Sequence, residues 1–262
     1  MADGAAAAPR AGASGDRIQF LGHASVLIEL EGRRLLTDPV LRGRVAHLRR
    51  KPPEVDMSAT ADLAAVLISH LHRDHLDLAS LRLLGRDVPL LVPGGAGAWL
   101  RRRGFTAVTE LHAGDLTTLG ALTVSAVRAD HGARRGPLGP RAEPLGYVVR
   151  GRRAVYFAGD TARFREMSEL GGSLDVVLLP VAGWGPTLGP GHMDALDAAR
   201  AVAQLSPRLA IPIHWGTLFP INITRAQRER MGDPARAFAD HVAALAPSVE
   251  VRILRPGQQT LL

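Results

Sequence analysis

The sequence predicts a single α/β domain over residues 17–262, and three observations predict it. Short apolar runs rich in Val, Ile and Leu recur along the chain and end on polar residues, the pattern of buried strands. Stretches with apolar residues three and four apart lie among them, as amphipathic helices require. No linker or short repeat interrupts this mixture, and 262 residues suffice for one well-buried core.

The elements follow in order. Residues 1–16, "MADGAAAAPRAGASGD", are expected to form a disordered tail of small residues, without an apolar stretch of signal-peptide character. "RIQFLGHASVLIELEGRRLLTD" reads as two strands joined at Glu31-Gly32. "LAAVLISH" is a buried strand ending at His70, and "VPLLVP" is another. "GAGAWLRRRG" is a short helix stopped by Gly104. "LTTLGALTVSAVRAD" gives two strands ending near Asp130, and "LGYVVRGRRAVYFAGD" a hairpin ending at Asp160. "ARFREMSELGG" is a helix with Gly beyond its end. "DVVLLPVAG" and "LAIPIHWG" are strands, the second ending at His214, with the amphipathic helix "MDALDAARAVAQLSP" between them. In "GDPARAFADHVAALAP", Asp233 reads as an N-cap and Pro234 as the first helical residue. "VEVRILRPGQQ" closes the chain as a strand.

Composition narrows the function classes. The formal net charge is +7, carried almost wholly by arginine, with Lys51 the only lysine. Such a charge could attract anionic substrates or nucleic acid. No Lys/Arg run alternates with aromatics, however, and the richness in Ala, Gly and Pro favours codon bias as the source of the arginines. The expected partner is a small molecule, anionic if the charge matters, rather than nucleic acid. There is no cysteine, hence no disulfide and no thiolate ligand, which fits a reducing cytoplasm. No run approaches the roughly 20 apolar residues of a membrane helix.

"ISHLHRDHLD", residues 68–77, is the most informative stretch. Three histidines and two aspartates crowd into it directly after an apolar strand. His70 and His72 are two apart, so an extended segment presents both on one side. Asp74 and His75 follow at the turn. Carboxylates with imidazoles suit zinc, manganese or iron. Further candidate ligands end other strands: His131 after Asp130, Asp160, and His214.

His-x-His-x-Asp-His after a strand resembles the signature of the metallo-β-lactamase superfamily. The remaining motifs appear in order: "LLTDP" with Asp38, "DHG" with His131, "YFAGDT" with Asp160 and "IPIHWGT" with His214. The resemblance covers about residues 18–255. It implies a four-layer αββα sandwich with two divalent metal ions, zinc first and manganese or iron as alternatives. His70, His72 and His131 would hold the first ion. Asp74, His75 and His214 would hold the second, and Asp160 would bridge both. Asp38 would orient a ligand by hydrogen bonding. "FLGHASVLIEL", "LLTDPVL" and "GPGHMD" resemble the group containing N-acyl-phosphatidylethanolamine phospholipase D and L-ascorbate-6-phosphate lactonase. That group's additional active-site histidine would be His192.

The resemblance implies a hydrolase. Two divalent ions roughly 3.5–4 Å apart share a water and lower its pKa toward about 7. Attack would fall on an ester-type bond, a phosphodiester or a lactone, with Asp74 orienting the nucleophile and His192 serving the oxyanion or leaving group. The stretch after "VAGWGP" is shorter and more Gly-rich than in the phospholipase and lacks a membrane-docking segment, which argues against a lipid substrate. Alternatives are a mononuclear iron dioxygenase on the same scaffold and a non-catalytic binding protein. Residue-level alternatives also stand. His23 is either a buried structural histidine or a neighbour of the metals, and His192 is either a site residue or a helix-start residue. Arg134, Arg135 and Arg141 either bind an anion or line a solvated loop. Trp184 and Trp215 read as core or pocket wall.

Overall fold

The computed structural model describes residues 15–51, 53–136, 139–170, 174–183 and 188–262. The chain opens with an antiparallel run of β1 (Arg17–Gly22), β2 (Ser25–Leu30) and β3 (Arg33–Thr37). A small hairpin follows, β4 (Arg44–Val45) and β5 (Leu48–Arg50). Next come β6 (Ala65–Leu67), α1 (Leu78–Leu84), β7 (Leu90–Pro93), α2 (Gly97–Arg101) and β8 (Val108–Leu111). β3, β6, β7 and β8 run parallel.

The second half repeats the plan. β9 (Leu116–Leu119), β10 (Leu122–Arg128), β11 (Leu145–Arg150) and β12 (Ala154–Phe157) form an antiparallel meander. α3 (Met167–Leu170), β13 (Val176–Pro180), α4 (Ala195–Leu205) and β14 (Leu209–Ile213) follow, with β12, β13 and β14 parallel. β15 (Leu218–Pro220) returns to pair with β5. α5 (Arg225–Arg230), α6 (Pro234–Leu245), β16 (Glu250–Val251) and β17 (Gln259–Leu261) end the chain. Among the described residues the strands make two seven-stranded sheets, β17-β1-β2-β3-β6-β7-β8 and β16-β14-β13-β12-β11-β10-β9, and the three-stranded sheet β15-β5-β4.

Strand periodicity builds the layers. Successive side chains point to opposite faces, so β12 to β14 send Val155, Phe157, Val176, Leu178, Leu209 and Ile211 toward the first sheet. Tyr156, Val177, Leu179 and Ala210 face the other way and meet α4 and α6 through Val202, Leu205, Phe238 and Val242. On the far side, Val66, Leu90 and Val92 pack against Leu81 of α1 and Leu100 of α2. The result is helix, sheet, sheet, helix, the expected αββα sandwich. Each fully buried Leu, Val or Phe contributes about 1.5–3 kcal/mol.

Helix starts follow local chemistry. Asp77, Asp194 and Asp233 each accept a backbone N–H in the first turn of α1, α4 and α6, and Pro234 opens α6 as expected.

Several boundaries differ from the sequence expectation. The stretch before Glu31 is two strands rather than one, because the chain reverses at Gly22 and His23, with φ of 115° and 58°. The strand expected over "VEVRILRPGQQ" is only Glu250–Val251. The chain then leaves the second sheet, turns at Gly257 (φ 90°), and β17 joins the first. The helix expected in "ARFREMSELGG" is limited to Met167–Leu170. α1, α5, β4, β5, β8 and β15 carry too few periodic residues to stand out in the sequence. Residues 1–14 of the expected tail, and Trp184, lie outside the described residues. Asp16 is tied into the fold, its carboxylate accepting the Glu31 N–H at 2.8 Å and its carbonyl the Leu262 N–H at 2.9 Å. No helix among the described residues is long and apolar enough to cross a membrane.

Candidate metal centre

The parallel strands determine where the polar residues gather. Asp38 follows β3, His70 lies three residues past β6, Asp160 three past β12, and His214 directly follows β14. These strands face one another across the sandwich, so their ends share one edge and the polar loops converge there.

Three histidines form one cluster. His72 Nδ1 lies 3.1 Å from His70 Nε2 and 3.0 Å from His131 Nε2. The other ring nitrogens are occupied. His131 Nδ1 donates to the Gly191 carbonyl at 2.6 Å, and His70 Nδ1 bonds Ser69 Oγ at 2.9 Å. Ser69 Oγ in turn donates to Asp38 Oδ2, so it accepts from His70. His70 and His131 thus aim Nε2 lone pairs at a common point.

Asp74, His75 and His214 form the second cluster. His75 Nε2 and His214 Nε2 are 3.2 Å apart, and each lies within 3.9 Å of Asp74 Oδ2. His75 Nδ1 donates to Asp38 Oδ2 at 2.7 Å and His214 Nδ1 to the Ala182 carbonyl at 2.6 Å, so Nε2 is the atom that each ring turns toward the cluster. Asp160 lies against this cluster, with Oδ2 3.2 Å from His75 Nε2 and Oδ1 3.3 Å from His214 Nε2. Toward the first cluster it groups with His131 and His192, one donor atom of each lying within 4.8 Å of the others. Asp160 Oδ1 is buried without a hydrogen-bond partner.

Three inward lone pairs, at His70, His131 and His214, and an orphaned carboxylate oxygen are packed this tightly with few protons to satisfy them. Cations resolve this. Ligands about 2.0–2.1 Å from a tetrahedral ion stand about 3.3 Å apart, close to the spacings seen. The donor set of imidazole and carboxylate suits zinc and neighbouring divalent ions.

Electrostatics agree. Burial pulls His70 and His72 below the usual histidine range, with His75's charge adding to it. Burial also lowers His131 to about 4 and His214 to about 3. Burial alone would raise Asp160 and Asp74, but the surrounding histidines hold both carboxylates below their ordinary range. His75 moves up despite burial, because Asp160 and Asp74 flank it.

The two residues with open readings both join the site. His23 Nε2 lies 3.1 Å from Asp74 Oδ2, and the His23 carbonyl accepts the His214 N–H at 2.7 Å. His23 is therefore both a buried structural histidine and a neighbour of the cluster. His192 lies just before α4, with Nε2 3.5 Å from Asp160 Oδ2; the N-cap of that helix is Asp194. The hydrogen bond to Asp160 raises its pKa.

The backbone is strained at three of these residues. His23, Asp38 and His214 have φ of 58°, 33° and 62°. Such conformations cost about 1–3 kcal/mol each and persist where the surroundings over-determine them. Two glycines are equally constrained: a Cβ at Gly159 would sit 2.5 Å from Ser69 Cβ, and one at Gly191 3.0 Å from His131 Nδ1.

Ser69 and Gly191 escaped the sequence reading. Ser69 was adjacent to the motif, and Gly191 to His192. The Arg135 guanidinium donates to the Leu71 and Leu76 carbonyls at 2.8 Å each, clamping the His-rich loop, a role the sequence did not suggest. Arg134 and Arg141 pair across a β-bridge in the same loop. Trp215 stacks on Phe20 and walls a cavity beside His214.

A family model described as a β-lactamase superfamily domain matches residues 33–215. The chain is 34% identical over 248 residues to a UPF0173 metal-dependent hydrolase of Methanopyrus kandleri, covering 92% of this chain and 98% of that one. It is 31% identical over 232 residues to N-acyl-phosphatidylethanolamine-hydrolyzing phospholipase D 1 of Caenorhabditis elegans, covering 78% and 65%. The solved structure of a metallo hydrolase from Ignicoccus hospitalis has the same fold, with a TM-score of 0.72, 22% identity, and 94% and 98% of the two chains covered. With the layered sandwich and the clustered His/Asp side chains at its edge, these similarities show that the chain belongs to the metallo-β-lactamase superfamily.

Proposed function

We propose that the chain is a metal-dependent hydrolase with a dinuclear centre, cleaving an ester-type bond, a phosphodiester or a lactone, in an anionic small molecule. The observation that carries this reading is the gathering of the Nε2 atoms of His75 and His214, with His131 close by, around Asp160, whose buried Oδ1 has no hydrogen-bond partner. His70, His72 and His131 would hold one ion; Asp74, His75 and His214 the other; Asp160 both. When bound, two divalent cations supply Lewis acidity and make hydroxide available near neutral pH. The named hydrolases among the relatives support the same reaction class.

The chain's own residues divide the remaining work. Asp38 keeps the His75 proton on Nδ1, so that Nε2 remains a donor toward the ion. His23 holds Asp74 Oδ2, leaving the other carboxylate oxygen to orient the attacking water. His192 Nε2 faces Asp160 Oδ2 at 3.5 Å, and that contact raises its pKa, which favours a proton at this atom. That proton can stabilise the developing oxyanion or go to the leaving group. Buried walls around His70, His75 and His214 exclude bulk water. Both clusters are complete, which favours two ions over the single iron of a dioxygenase and favours chemistry over binding alone.

The test pairs element analysis with a substrate panel of bis-p-nitrophenyl phosphate, simple lactones and a β-lactam. Two divalent ions per chain with phosphodiester or lactone turnover is the expected result. A single iron, or β-lactam cleavage alone, would overturn it.

A further inference from the structure

A cavity of about 640 Å³ opens beside the centre, with His23 and His214 in its wall. Its lining combines the apolar Trp215, Leu218 and Phe219 with the cations Lys51, Arg228 and Arg230. Lys51 Nζ lies 4.8 Å from the centroid of the Phe219 ring, and the Arg228 guanidinium carbon 5.9 Å from the same centroid. Two like charges thus share one aromatic ring at the cavity wall. Among the described residues no carboxylate forms an ion pair with either. The two acids in the lining serve elsewhere: Asp194 and Asp233 accept backbone N–H groups as helix caps.

The fold holds this arrangement deliberately apart from the centre. Lys51 follows β5, and its N–H donates to the Thr217 carbonyl at 2.8 Å. β5 pairs with β15, which carries Phe219. α5, held by the capping box of Thr224 and Gln227, carries Arg228. The three-stranded sheet therefore exists at the site to present Lys51 and Phe219 beside the arginine. Burial, with Arg228 close by, pulls the Lys51 ammonium below its ordinary range. Two uncompensated cations over an aromatic face await an anion.

We propose that Lys51 and Arg228 form an anion-binding subsite, so that the substrate carries a carboxylate or phosphate joined by an apolar segment to the bond cleaved at the metals. The subsite lies in the cavity wall away from the metal ligands, and its role in substrate choice rests on the hydrolase reading above. Phe219, Trp215 and Leu218 receive the apolar segment, and the cations select the charged end.

Titration calorimetry on the full, metal-loaded chain tests the subsite without requiring turnover. The probes are benzylphosphonate and phenylacetate, which share a ring and differ in the anion. Lys51→Met and Arg228→Met remove charge and keep volume; α5 buries no side chain, so the second change leaves folding intact. Each is expected to weaken the tighter-binding probe about tenfold, and Lys51→Arg to restore binding. Equal binding to the unaltered chain and both variants would overturn the subsite. Mono-4-nitrophenyl glutarate against 4-nitrophenyl butyrate then tests substrate choice. The unaltered chain is expected to prefer the charged ester about tenfold, and both variants to lose that preference. No turnover of either ester, of bis-p-nitrophenyl phosphate or of simple lactones, with probe binding still lost in the variants, sinks the hydrolase reading and leaves the subsite standing.

Discussion

Asp38 Oδ2 lies 2.7 Å from His75 Nδ1, with both side chains fully buried. The same carboxylate accepts the Ser69 N–H and hydroxyl. One side chain therefore sets the tautomer of His75 directly and that of His70 through Ser69. In Asp38→Asn an amide NH₂ would face the His75 and Ser69 donors. Divalent-metal affinity is expected to fall about 10–100-fold, read by competition with a chromogenic chelator. Unchanged affinity would show that the tautomers are set elsewhere.

Asp160 lies against His75 and His214 of one cluster and within reach of His131 of the other. Asp160→Ala should lower metal content at both positions, whereas His70→Ala and His214→Ala should each lower it at one. Plasma emission analysis after dialysis distinguishes these. Two tightly held ions in Asp160→Ala would remove it from the bridging position.

His192 touches Asp160 and otherwise bonds only backbone carbonyls, those of Gly189 and Pro190. His192→Ala should keep both ions and lower kcat roughly 10²–10³-fold, the usual loss for one oxyanion donor. Loss of an ion would make it a ligand, and unchanged kcat a helix-start residue.

Acid should destabilise the metal-free protein. His70, His72, His131 and His214 have depressed pKa values in the folded chain, the last two at about 4 and about 3. In the unfolded chain all four protonate near pH 6.5. From about 6.5 down to 4 the unfolded state binds more protons, so stability falls by about 1.4 kcal/mol per pH unit for each excess proton. His75 and His192 are raised, and carry a proton in both states over this window. Their stabilisation is lost instead as pH rises through their folded values. Urea unfolding in a chelator should give a lower midpoint at pH 5 than at pH 7. A constant midpoint would mean that the buried histidines protonate without cost.

The sequence by itself determined the candidate ligand residues and their order. His70, His72, Asp74 and His75 are legible because their spacing is local. A strand end and a turn suffice to bring them near one another, and the residues after β12 and β14 announce themselves as polar groups closing apolar runs. Fold class was legible for the same reason, since strand and helix periodicities are written in neighbouring residues. Tertiary structure decided everything that depends on closure between distant segments. His23 could not be assigned from sequence, because its partner Asp74 is 51 positions away. Arg135 had two open readings in the sequence, and its bonds to the carbonyls of the His-rich loop appear only in the fold, because Leu71 and Leu76 lie 64 and 59 positions away. Lys51 and Arg228 are 177 positions apart, a separation read from their numbering, and only the pairing of β5 with β15 brings them to one ring. Strands as short as Arg44–Val45 have no stability of their own and exist because the sandwich supplies their partners.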